Sequence, residues 1–80
     1  MEAEQLIQLE LILKNVDEEV VRASELYPPF RSIHEGIAII EEEFLELRAE
    51  VFRKPVRWNK TREEAKQLAA MAIRFLIDLN

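Results

Sequence analysis

The sequence predicts an all-α fold, and three observations carry that prediction. Apolar residues recur at steps of three and four along three separate stretches, the spacing of one face of a helix. Only one of the 80 residues is glycine, and a chain that is 49% apolar and 34% charged suits packed helices better than sheets or disorder. All three prolines fall in two short connectors that separate the stretches. Residues 1–80 therefore read as a single domain, a three-helix protomer. At this size a lone core stabilises only marginally, so the protomers are expected to assemble into an oligomeric helical bundle, a homodimer or homotetramer.

The first helix is expected over residues 2 to about 26, where Leu6, Leu9, Leu13, Val16, Val20 and Ala23 form a stripe. Ile7, Leu11, Ile12 and Val21 lie off that stripe and imply a second contact surface, such as another subunit. Asn15 and Asp17 are poor interior helix formers and mark a point where the helix is expected to kink. Tyr27-Pro28-Pro29-Phe30 ends it, because proline lacks an N–H and disfavours helical geometry at the residue before it. Tyr27 and Phe30 are expected to plug the end of the core.

Ser32 caps the second helix, with Glu35 as the return half of a capping box. Ile33, Ile37, Ile40, Phe44, Leu47 and Val51 span roughly 80° of arc and form its expected core face. Glu35, Glu42 and Glu46 lie almost opposite, with Glu43 and Glu50 further round. After the basic connector from Arg53 to Lys60, Thr61 is the expected N-cap of the third helix and Glu64 its capping-box partner. Ala65, Leu68, Ala69, Ala72, Ile73, Phe75, Leu76 and Leu79 cover most of that helix, which is expected to be buried on several sides and to lie centrally in the oligomeric bundle.

Sixteen acidic against 11 basic side chains give a net charge of −5, which disfavours non-specific binding to nucleic acid or an anionic membrane. The absence of cysteine and of any long apolar run excludes disulfide scaffolds and membrane spans, and a cytoplasmic location is the expectation.

The chemistry concentrates in Glu41-Glu42-Glu43-Phe44-Leu45-Glu46. Glu42 and Glu46, four apart, project side by side and suit a shared hard cation. Mg²⁺ takes oxygen ligands and keeps some waters, so a second helix must contribute, and Glu64 with Gln67 on the third helix is the candidate pair. The competing reading is a solvated acidic face, with Glu64 occupied at its cap.

Three segments carry a resemblance. Tyr27-Pro28-Pro29-Phe30-x-Ser32-x-His34-Glu35-Gly36, Ile40-Glu41-Glu42-Glu43-x-x-Glu46-Leu47 and Glu64-Ala65-x-Gln67-x-Ala69-Ala70-Met71-Ala72-x-Arg74-Phe75 together resemble a small MazG-like protein, one of the all-α nucleoside triphosphate pyrophosphohydrolases. The resemblance covers about residues 27–79. It implies a Mg²⁺ site, with Mn²⁺ as the alternative ion, built from an E-E-x-x-E helix and an E-x-x-D helix. Glu42, Glu43 and Glu46 match the first motif and Glu64 the Glu of the second, while Gln67 stands where the pattern has Asp. A neutral amide oxygen is a weaker ligand and removes one negative charge. The implied reaction releases pyrophosphate from a nucleoside triphosphate, at a weakened metal site.

In that reading Glu42, Glu46, Glu64 and Gln67 hold the metal and Glu43 serves as base or second-metal ligand. Lys54, Arg57, Lys60 and Arg74 would meet phosphate oxygens, and Trp58 would stack on a base. Arg74 also has Asp78 four residues on as a plain ion-pair partner. His34 is more often a packing or surface residue than a catalyst at such a position. The alternative function is a non-catalytic helical oligomer, a binding, regulatory or partner-dependent interaction module.

Overall fold

A computed structural model describes residues 1–79 and contains three helices: α1, Ala3–Leu26; α2, Ile33–Val51; and α3, Trp58–Asp78. Among the described residues there is no strand, so the chain is all-α. α1 runs unbroken through Asn15 and Asp17, and the expected kink does not form. Its first turn is held by the Glu2 backbone N–H donating to Gln5 Oε1 at 2.9 Å.

Ser32 caps α2 as the sequence predicts, its hydroxyl oxygen accepting from the Glu35 N–H at 3.1 Å. The return half differs, because the Glu35 carboxylate accepts from the Arg31 N–H and guanidinium instead. α3 begins four residues earlier than expected. Arg57 occupies the cap position, and Thr61, already inside the helix, donates its hydroxyl back to the Arg57 carbonyl at 3.0 Å. The Arg57 guanidinium is gripped by Glu50 through bonds of 3.0 and 2.6 Å, which fixes the chain where the helix starts without a Ser or Thr cap. Glu64 is thereby released from the capping role that spacing assigned to it.

α3 is the central element. α1 and α2 each pack on it, and their backbones do not approach one another. α2 and α3 run antiparallel, since Gly36 meets Phe75 and Leu79 while Glu50 meets Arg57. Gly36 suits this approach: a Cβ there would lie 2.6 Å from the Phe75 ring, which would have to shift to make room.

The core consists of Val16, Val20 and Ala23 of α1, Phe30 of the connector, and Ala70 and Met71 of α3, with Ile39, Ile40, Ile73, Phe75 and Leu79 packed around it. Phe30 plugs the core as expected, whereas Tyr27 is exposed. The expected core face of α2 is corrected: Ile33, Ile37, Phe44 and Val51 are exposed, and the residues turned to α3 are Gly36, Ile39, Ile40, Glu43, Leu47 and Glu50. Close approach at glycine favours this contact, and the richest apolar stripe is turned away from the core. On α1, Leu6, Leu9 and Leu13 likewise remain exposed.

Candidate metal centre

The rotation of α2 carries an acidic residue into the helix interface. Glu43 lies one and two turns beyond Ile39 and Gly36, so the contact with α3 that buries those positions also half-buries its carboxyl. Glu46 follows within the same turn, and Glu64 projects from α3 with only 8% of its surface exposed. One carboxylate oxygen from each of Glu43, Glu46 and Glu64 lies within 4.8 Å of the other two. Three negative charges at that spacing repel strongly unless a proton or a cation intervenes.

The electrostatics record this conflict. Burial, reinforced by the charges of Glu46 and Glu64, pushes the Glu43 carboxyl up to about 7. Glu46 is also raised, first by loss of solvation at its carboxyl and then by its hydrogen bond with Glu64. One counter-charge is close, the Lys60 ammonium at 3.4 Å from Glu64. Glu43 Oε2 is buried with no hydrogen-bond partner. An orphaned carboxylate oxygen beside a further one from its own helix and one from a second helix is the donor set that a hard divalent cation prefers, so the residues present fit Mg²⁺ or Mn²⁺.

Beside the trio lies a cavity of about 400 Å³, formed where the end of α1 and the proline connector close over α2 and α3. Glu42, Glu43, Gln67 and Arg74 line it together with Arg22, Tyr27, Phe30, Glu35, Ile39 and Met71. Sequence-predicted site residues thus divide into groups. Glu43, Glu46 and Glu64 come together as carboxylates. Glu42 and Gln67 stand outside that trio, on the cavity wall, and the Gln67 amide donates to Glu63 Oε1 at 3.3 Å.

The basic candidates have their own engagements. Arg57 is held by Glu50, and Lys54 and Trp58 are exposed at the connector end of the molecule, outside the cavity wall. Arg74 is 3% exposed. It donates to the Pro28 carbonyl at 2.9 Å, lies over the Phe30 ring at 4.8 Å and keeps Asp78 at 3.9 Å, while Asp78 accepts the Phe30 N–H at 3.0 Å. This network ties the connector to α3, and the Arg74 Nε is left buried without a partner. No family model, curated protein or solved structure matches the chain.

Arg22 is a charged cavity residue that sequence reasoning missed. It forms a bidentate pair with Glu19 at 2.7 and 2.8 Å, and this pairing holds the Glu19 carboxyl below its usual range. Its signal was present as an i, i+3 ion pair beside the Val16–Val20–Ala23 stripe, but its place over the cavity depends on how α1 docks.

Proposed function

We propose that the protein is a divalent-cation-dependent nucleoside triphosphate pyrophosphohydrolase, converting a triphosphate to monophosphate and pyrophosphate. The observation that carries the reading is the trio Glu43, Glu46 and Glu64, contributed by two helices and left with an orphaned buried oxygen at the edge of a ligand-sized cavity. Glu46 and Glu64 would hold Mg²⁺, or Mn²⁺ in its place, with Glu43 completing the site or accepting a proton. When bound, the ion supplies charge neutralisation at the phosphates and a more acidic water.

The chain's own residues supply the rest. Glu43, held between Glu46 and Glu64 with one carboxylate oxygen unpartnered, is placed to take a proton from an attacking water. Gln67 offers an amide on the cavity wall, and Tyr27, Phe30, Ile39 and Met71 offer apolar surface for a flat ring. The buried Arg74 sets a positive charge behind that wall. The reading also includes homo-oligomeric assembly and a cytoplasmic location.

The second reading, a non-catalytic helical interaction module, is favoured by the internal engagement of Arg57 and Arg74, which removes two expected phosphate contacts. Incubation with a panel of triphosphates and Mg²⁺ or Mn²⁺, assayed for monophosphate and pyrophosphate, separates the two. Product formation that is lost in Glu46→Gln and Glu64→Gln supports the enzyme; no product with any triphosphate sinks it. A cation titration of thermal unfolding runs in parallel, with about 2.7 kcal/mol of stabilisation expected at a hundredfold excess over Kd. That gain should vanish in both variants.

A further inference from the structure

The protomer carries more surface than a molecule of its mass needs. Its accessible area is 6369 Å², whereas a compact 9.5 kDa monomer exposes about 5,000 Å². The excess, on the order of 1,300 Å², exceeds the roughly 800 Å² per partner of a standard stable interface. The radius of gyration, 13.9 Å, is likewise above the roughly 11.6 Å of a compact 80-residue domain.

Two apolar surfaces contribute to the excess. The first is an arm. α1 runs parallel to α3, with Ile12 bordering the same groove as Asn59, so residues 3–11 extend past the start of α3 by about 12 Å at the helix rise. Leu6, Leu9 and Leu13 continue the buried Val16–Val20–Ala23 stripe along this arm and find nothing to cover them. The second is a face on the α2–α3 pair. Ile37, Phe44 and Val51 form an exposed stripe on α2, and Ala65, Ala69, Ala72 and Leu76 form one on α3. Each stripe lies about 100° round from the face that packs on the other helix, and in an antiparallel pair those rotations bring both to the same side. The alanines make that side shallow enough to seat a helix.

We infer that this face receives the α1 arm of a second copy of the chain, in a two-fold dimer where each arm lies on the other's α2–α3 face. The two surfaces belong to one molecule, so a two-fold operation uses each of them twice and closes the assembly. Charge agrees with the fit. Glu2 and Glu10 flank the arm stripe, and Arg48 and Arg62 flank the receiving face, neither of them in an ion pair among the described residues. The inference does not depend on the metal reading, because the carboxylate trio and its cavity lie on the side of the pair that faces α1.

Light scattering of the purified chain, which should give twice its 9.5 kDa mass, tests the association. Leu9→Glu and Phe44→Lys alter side chains that are exposed in the protomer, so each variant should keep the parent helical circular dichroism and halve the mass. Mixing the two variants decides the seat. A Leu9→Glu arm on a Phe44→Lys face makes an ion pair and the other arm and face are unaltered, so the mixture should return to dimer. A monomeric parent chain overturns the inference. So does a Phe44→Lys protein that remains dimeric, or a mixture that stays monomeric.

Discussion

Replacing Glu43 by glutamine should make the metal-free protein insensitive to pH over a range where the parent is not. The Glu43 carboxyl moves from an ordinary 4.5 to about 7 on folding. Its folded-state value is the higher one, so between those limits the native state keeps a proton that the unfolded chain has released. Stability is then greatest below about 4.5, falls as pH rises through the window and levels off above 7. At about 1.36 kcal/mol per pH unit the ceiling is about 3.4 kcal/mol. Glu43 is only half-buried, and solvent screening reduces the expectation to about 2 kcal/mol. Glu46 is raised in the same sense and adds to the loss. Glu19, Glu50 and Glu63 are held below their usual range by Arg22, Arg57 and Lys66, so their effects belong to pH below 4.5. Urea unfolding in the presence of a chelator, at pH 5 and pH 8, measures the difference. The parent should be less stable at pH 8, and Glu43→Gln should lose most of that slope. Equal stability at both pH values in the parent, or an unchanged slope in the variant, would refute the argument that these carboxylates are crowded.

Three further outcomes test the architecture. Gly36→Val should destabilise by about 1–3 kcal/mol in thermal or urea unfolding, since its side chain must displace the Phe75 ring. Arg74→Ala should cost about 2–3 kcal/mol, because it strips the Pro28 carbonyl and Asp78 of a buried charged partner, while Arg57→Ala at a more exposed pair should cost clearly less in the same assay. Ser32→Ala should cost about 1 kcal/mol as the loss of a true cap, and Thr61→Ala under about 0.5 kcal/mol. A larger loss for Thr61 would move the start of α3 back to where the sequence put it.

The helices were legible because periodicity, proline and capping chemistry are local. Ser32 names its own helix start, and the two prolines after Tyr27 end α1 wherever that helix packs. The acidic run was legible for the same reason, as was the choice of a second helix to face it. The start of α3 was not, because the feature that fixes it is an ion pair between Glu50 and Arg57, seven residues apart across a turn.

The sequence by itself determined three helices, their connectors and a concentration of carboxylates on α2. The tertiary structure alone decided which of those carboxylates meet. Hydrophobic counting favours the Ile33–Ile37–Phe44–Val51 stripe as the inner face, yet a helix turns inward the side that permits closest approach. Gly36 supplies that side. Seven residues further along the same face stands Glu43, so the packing that seats Gly36 against Phe75 also draws Glu43 toward Glu64 and leaves Glu42 on the cavity wall.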